Sequence, residues 1–192
     1  MSAAPSLAVP HAASLPPFPT RAALALEQAT RDELEATFVR GATPDLDALV
    51  GWEFRGINHP SWARVAGIKK FVKGFWREGD RVLGYNSPVE QNVLDGRWHV
   101  AAKRFGFYEV APVDATRRDN VYLHAVLLDY GRGGNKRLDP TSGLRDYLVQ
   151  VDPANPDLFL GKAYYALGPL RVATNFFILE RHRVGLTDYA RR

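Results

Sequence analysis

The chain has no cysteine, which excludes a disulfide framework, a thiolate metal site and a thiol nucleophile. Histidine is sparse. His11, His59, His99, His124 and His182 are scattered, with no H-x-x-x-H pair and no His–carboxylate motif, so no metal site is expected. A haem held by one axial histidine is left open by this pattern, but no cofactor is called for. There is no G-x-S-x-G, and spacing assigns no catalytic triad. The string "GRGGNKR" at 131–137 has the glycines of a phosphate loop but not its Lys-Ser/Thr ending. No run approaches the roughly 18 apolar residues of a membrane-spanning helix. The opening "MSAAPSLAVPHAASLPPFP" lacks a basic start, and Pro5, Pro10, Pro16 and Pro17 interrupt any apolar core. Residues 1–19 therefore read as a flexible arm rather than a secretion signal, and a cytoplasmic location is expected.

What remains is an ordinary globular composition. The 192 residues are 46% hydrophobic and 24% charged, enough for one domain with a sizeable core. Aromatic residues are plentiful, with 4 Trp, 8 Tyr and 10 Phe. The net charge of +4 is localised: Arg64, Lys69, Lys70, Lys73, Arg77 and Arg81 face only Glu78 and Asp80 across residues 61–81, while the rest of the chain balances.

The pattern divides into helices and then strands. Thr20 can cap a helix over "RAALALEQA". Thr30, with Glu33 three residues on, has capping-box spacing for a second helix that Gly41 stops. Thr43-Pro44 opens a short turn of helix through Leu49, which makes 20–50 a helical segment. From Gly51 onward short apolar runs alternate with turn signals. They are "GWEFRG", "RVLGYNSPVEQNVL", Asp95-Gly96, "RWHVAAKRFGFYEV", "VYLHAVLLDY", "LRDYLVQV", "LFLGKAYYAL" and "VATNFFILER". Their spacing predicts a mainly β domain over 51–184, an antiparallel barrel of about 7–10 strands, with a short tail at 185–192. One stretch reads differently. In "WARVAGIKKFVKGFW", Trp62, Val65, Ile68, Val72, Phe75 and Trp76 share half a helical wheel opposite Lys70, Lys73 and Arg77. This predicts one basic amphipathic helix inserted near 61–77.

The Gly51-Trp52 pair at the first strand, the run of hairpins, and a last strand ending in Glu180-Arg181 resemble the calycin superfamily of lipocalin-like barrels over roughly residues 45–184. The resemblance implies that Trp52 packs across one end of the barrel as a plug. It also implies that a basic side chain of the last strand, Arg181 or Arg183, stacks over it as a cation–π cover.

Candidate site residues follow from strand alternation. Tyr122 and His124 share a face with Val126, Leu128 and Tyr130, so they are candidates to face a cavity. "FRGINHPSW" gathers Arg55, Asn58 and His59 near a rim. Arg55 has a fork suited to carboxylate or phosphate, and His59 is held extended before Pro60. Tyr85, Asn86, Tyr108 and Tyr147 are polar groups embedded in strands, costly to bury without a partner. Lys103, Arg145, Lys162, Tyr164 and Asn175 belong to the same group, some of which must pair with each other or with a ligand; the alternative for Asp146, Arg145 and Lys162 is surface ion pairs worth about 0–1 kcal/mol.

The expected function is a small-molecule binding protein holding an apolar or amphipathic ligand in the barrel. Trp52, Arg55, Asn58, His59, Tyr85, Asn86, Tyr108 and Tyr147 would be its contacts. The rival is a cofactor-free isomerase or cyclase in the same cavity, with His124, Tyr122 and His59 as its acid–base groups. A third reading is a peripheral membrane or partner-binding module using 62–77, which requires Phe71, Phe75 and Trp76 to be exposed. Nucleic acid is not expected, because aromatics lie beside those lysines in a way that suits a cap better than a base reader.

Overall fold

The computed structural model describes residues 15–60, 67–136 and 138–185. Most of the amino-terminal arm, the carboxy-terminal tail beyond 185 and the Trp62 end of the expected basic helix lie outside them. Two helices come first, α1 (Arg21–Gln28) and α2 (Arg31–Arg40), followed by the single turn α3 (Leu46–Leu49). Thr20 accepts from Ala23 N at the start of α1. At α2 the capping box is complete, since Thr30 accepts from Glu33 N and the Glu33 carboxylate accepts from Thr30 N. Asp45, one residue past the expected Thr43-Pro44 start, caps α3.

Eight strands then close an antiparallel barrel in sequence order: β1 (Trp52–Asn58), β2 (Lys70–Glu78), β3 (Arg81–Pro88), β4 (Phe105–Pro112), β5 (Val126–Asp129), β6 (Leu144–Asp152), β7 (Asn155–Leu167) and β8 (Leu170–Val184). Closure runs through β1 and β8, where Trp52 pairs with Val184 and Asn58 with Phe177. Gly51 makes the entry into β1 with φ +81°, a left-handed conformation that favours glycine. Its N–H donates to Phe75 O, and its carbonyl accepts from Gly185 N.

The inserted basic helix is not formed over its described part, because Lys70–Glu78 is β2. Alternation rather than helical periodicity governs it. Phe71, Lys73 and Phe75 point into the barrel, and Lys70, Val72 and Trp76 point out. Gly67 and Gly74 already weigh against a helix by about 1 kcal/mol each. Gly79-Asp80, with φ +58° at Gly79, turns β2 directly into β3. The expected strand over 121–130 shrinks to Val126–Asp129, since Tyr122 and His124 belong to a loop folded against the outer wall. The 81–110 hairpin does turn near Asp95-Gly96, where Gly96 N donates to Val93 O. Its ladder is reduced there to the bridge Val89–Val100.

Both faces of the wall are buried. Inside lie Phe54, Phe75, Tyr108, Tyr130, Phe159 and Phe177 with Leu128, Leu148 and Leu179. Outside, Ile57, Val72, Leu160, Phe176 and Ile178 pack against Ala23, Leu34 and Phe38 of the helices, and Trp98 of the β3–β4 loop completes that layer. This explains why the strands read as near-continuous apolar runs. At the lower end α3, Val50 and Trp52 close the barrel. There the Arg181 guanidinium lies 4.5 Å over the Trp52 ring and 5.2 Å over Phe54.

Strand glycines make room for the inner rings. A Cβ at Gly161 would sit 2.0 Å from Phe177, one at Gly84 2.1 Å from Tyr108, and one at Gly56 2.2 Å from Phe71. Each glycine is the direct cross-strand partner of that aromatic. Phe177 is 2% exposed and packs edge-on against Phe71. Gly161→Ala is therefore expected to cost about 1–3 kcal/mol in urea unfolding, and Gly161→Ala/Phe177→Leu to recover part of that loss. A Gly161→Ala protein as stable as wild type would show that the inner rings are loosely held.

Candidate functional site

Three of the ion pairs carried by this double-sided wall differ in what they leave unsatisfied. On the outer face Arg55 of β1 meets Glu180 of β8 at 2.9 Å, with side chains 0% and 5% exposed. The segment leading into α1 straps over it. Pro16 O accepts from Arg55 Nη2 at 2.8 Å, and Glu180 accepts from Thr20 N and its hydroxyl. Beside this pair His182 packs on Trp98. Burial, reinforced by Arg55 and Arg183, pushes its imidazole down to about 4 from an ordinary 6.5. The neutral form is thus favoured in the folded state. Its stabilising effect is present above pH 6.5 and is lost as the pH falls through 4. Thermal melts of wild type should lose stability across that window, and His182→Phe should flatten the loss. An unchanged slope in the variant would remove His182 from the acid response.

A second pair sits on the outer face beneath α2. Lys162 of β7 donates to both Glu35 oxygens at 2.7 and 2.6 Å and to Tyr122 Oη at 2.5 Å. Phe38, Tyr122, Tyr164 and Phe176 surround its ammonium.

The third pair lies inside the barrel and is the candidate site. Lys73 of β2 reaches across to Asp146 of β6, its Nζ donating to Asp146 Oδ2 at 3.1 Å and to Asn86 Oδ1 at 3.0 Å. Its third bond goes to the Tyr130 hydroxyl. Tyr130 Oη in turn donates to Asp146 Oδ2 at 3.0 Å and accepts from Asn86 Nδ2 at 3.2 Å. Asn86 Nδ2 also donates to Gly106 O at 2.9 Å. The ammonium is ringed by Phe71, Tyr108, Tyr130 and Phe177, with ring centres 4.8–5.6 Å away. Burial pulls the Lys73 ammonium below the usual lysine range, with Asp146 opposing. Burial also raises the Tyr108 and Tyr130 hydroxyls well above theirs, aided by the Asp146 charge.

Every polar atom of this cluster has a partner but one. Asp146 Oδ1 is buried and accepts no hydrogen bond among the described residues. The three donors of Lys73 are spent on Asn86, Tyr130 and Asp146, so the cluster has no donor to offer an incoming anion. It offers a charged acceptor instead.

The other expected site residues are distributed around this centre. Asn86 and Tyr108 are in the cluster. Arg55, Tyr85 and Tyr147 point outward, contrary to the cavity-facing expectation. Arg55 pairs with Glu180 and Pro16 O, its Nη1 buried without a hydrogen-bond partner among the described residues, Tyr85 donates to Glu53 at 2.7 Å, and Tyr147 packs against Tyr122 and Tyr164. Asn58, at the upper end of β1, donates to Ile68 O and accepts from Asn175. His59 Nε2 bonds Ala29 O at 2.8 Å, and His124 Nε2 bonds Phe38 O at 3.1 Å. Tyr122 shares a 2.8 Å hydrogen bond with Tyr164. The trio His59, Tyr122 and His124 therefore does not meet in the barrel interior; each ties loop or helix backbone to the outer wall. Asp146 is not on the surface as expected but 3% exposed.

Lys73, Tyr130 and Asp146 were missed as a set because they come from β2, the residue just after β5, and β6, whose register a single sequence does not reveal. Their signal was a polar residue at an apolar-alternation position in each strand.

Two hollows open elsewhere. One of about 230 Å³ on the outside of β4 and β5 is lined by Glu109, Asp114, Asp119 and Asp129 among others. Each of these carboxylates already holds an arginine. A smaller cleft of about 90 Å³ lies beside His59 and Lys162. Among the described residues no group of three or more His, Asp or Glu could hold a metal, and no helix is long and apolar enough to cross a membrane. Compared with known proteins, the chain matches no family model, no curated protein and no solved structure.

Removing one member of a buried charge pair strands the other. Lys73→Met is therefore expected to cost about 3–5 kcal/mol, and Lys73→Met/Asp146→Leu to regain most of it. Denaturant unfolding of both variants checks this. A single variant that costs less than about 1 kcal/mol would mean that water already reaches the pair.

Proposed function

We propose that this barrel binds a small, largely apolar molecule carrying one hydroxyl or amine, with the Lys73–Asp146 cluster as its polar anchor. The observation that carries this reading is the unpaired Asp146 Oδ1 inside an aromatic enclosure. A buried carboxylate oxygen without a donor is costly, and a ligand O–H or N–H is the complement that relieves the cost. Lys73 is saturated by its three partners and pairs with the other oxygen, Oδ2, so it leaves Oδ1 to the ligand. Phe71, Tyr108 and Phe177 supply flat apolar contact. The Trp52–Arg181 stack at the floor is the feature a lipocalin-like barrel is expected to have, and it supports reading the opposite end, where the cluster lies, as the ligand end.

A hydrogen bond to a charged acceptor contributes about 1.5–3 kcal/mol. 2-Naphthol is accordingly expected to bind roughly ten- to a hundredfold tighter than 2-methoxynaphthalene, which keeps the rings but lacks the donor. Calorimetry or ring fluorescence measures this. Lys73→Met/Asp146→Leu should erase the preference while leaving weak apolar binding. Equal affinity for the two probes would overturn the role of Asp146. Native mass spectrometry of the freshly purified protein should meanwhile show a retained small molecule with such a group.

A further inference from the structure

The outer wall beneath the β3–β4 loop holds a second set of unsatisfied polar groups, independent of the interior site. Arg55 is 0% exposed and Trp98 7%. Glu180 and Pro16 O engage part of the Arg55 guanidinium, but its Nη1 has no hydrogen-bond partner among the described residues. The same is true of Trp98 Nε1 and His182 Nδ1, and all three atoms are shut off from solvent. They belong to one stretch of wall. The Trp98 indole is bracketed by the Lys70 ammonium, 4.4 Å over its ring, and by the His182 ring at 6.4 Å. Lys70 stands opposite Ile57 of β1, and Arg181, next to His182, stands opposite Phe54. Arg55 lies between those levels, and its β2 partner Val72 packs in the same apolar cluster as Trp98. The Arg55 charge also reaches the His182 imidazole.

What this stretch lacks is an acceptor. Arg55 Nη1 and Trp98 Nε1 can only donate, and neutral His182 donates from Nδ1 in one of its tautomers. It also lacks negative charge. On the strands here two fully buried cations, Arg55 and Lys70, stand against the buried carboxylates Glu180 and Glu53, and Glu53 is already engaged by Arg183 and Tyr85. Lys70 donates to the Asn92 side chain and to the carbonyls of Val93 and Arg97, none of them charged. Glu90 and Asp95, whose charges act on Lys70, are solvent-exposed. Lys70 comes from the basic stretch first expected to meet a membrane or a partner. That stretch is wall instead, since Phe75 and Trp76 are 0% exposed as well.

We infer that a small monovalent anion of halide size binds between Arg55 and Trp98, accepting from Arg55 Nη1, Trp98 Nε1 and His182 Nδ1–H. The donor-only set selects an acceptor, and the surplus buried cation selects a charged one. A water molecule would fill the space but leave that charge uncompensated, and buried charge without a counter-charge is costly. Enclosure selects a compact ion over an organic acid, whose remainder would have no room among atoms closed to solvent.

The test is thermal melting of the full chain against sodium bromide at fixed ionic strength, balanced with sodium gluconate, which is too bulky for an enclosed site. Wild type should show a saturating rise in melting temperature, because a ligand held only by the folded state stabilises it. Trp98→Phe keeps a ring beside Lys70 but removes one donor, and should raise the bromide dissociation constant by roughly tenfold or more. Wild-type crystals grown in bromide should show an anomalous peak at hydrogen-bond distance from Arg55 Nη1, which tests the site even if the variant fails to fold. The inference is overturned if bromide gives wild type no saturating rise beyond gluconate, or if Trp98→Phe responds as wild type does. It is equally overturned if the bromide crystals show only water beside Arg55.

Discussion

The reach of Lys73 across the barrel to Asp146 is the constraint around which the interior is organised. An ammonium and a carboxylate on β2 and β6 are not sheet neighbours. They meet only if the barrel closes at this girth and the side chains between them leave a path. The rings of Phe71, Tyr108, Tyr130 and Phe177 define that path and shield the pair. An apolar replacement of similar volume would cost the fold little, and could even favour it. The pair is therefore poorly explained by stability alone. It narrows the permitted registers, since a slip of one residue in β2 would carry Lys73 to the outer face.

The glycines serve the same geometry. A barrel of eight strands has a narrow interior, and here aromatic rings line it by lying over the backbone of their neighbours. Gly56, Gly84 and Gly161 are bare where Phe71, Tyr108 and Phe177 cross them. Two of these rings then contact each other at 5.9 Å in an edge arrangement, Phe71 against Phe177, and Tyr108 reaches Tyr130 at 5.0 Å. The enclosure around Lys73 is thus a product of cross-strand glycine–aromatic pairs. Backbone spacing and the chemistry of the interior cannot be varied separately.

Much of this was legible in the chain. The capping box at Thr30 and Glu33, the succession of hairpins and the Trp52–Arg181 contact follow from local spacing or from resemblance. The errors have a common cause. "IKKFVKGFW" alternates as well as it spirals, because a strand buried on both faces places apolar residues at every phase, and helical and strand periodicities then both find matches. The turn Gly79-Asp80, a two-residue hairpin signal, was the feature that could have decided it. Candidate residues were assigned to a cavity from strand alternation, which does not say which face is the inner one. In this wall the outer face is covered too, so Arg55, Tyr85 and Tyr147 found partners outside. Lys73 and Asp146 needed the register of eight strands, which no local pattern encodes.

The two boxed lysines separate what is structural from what is available. Lys162 and Lys73 each sit among four aromatic rings, on opposite faces of the same wall. Burial lowers both, but at Lys162 the hydrogen bonds to Glu35 and Tyr122 outweigh it and the ammonium lies above its ordinary range. At Lys73 burial prevails over Asp146. The difference lies in the carboxylates. Both Glu35 oxygens are turned onto Lys162, and the Glu35 side chain is 40% exposed, so α2 is pinned to the barrel by a pair that water also supports. Asp146 gives one oxygen to Lys73 and Tyr130 and keeps the other buried and empty-handed. Equal surroundings thus come with unequal satisfaction, and of the two lysines only the inner one has a partner with something left to accept.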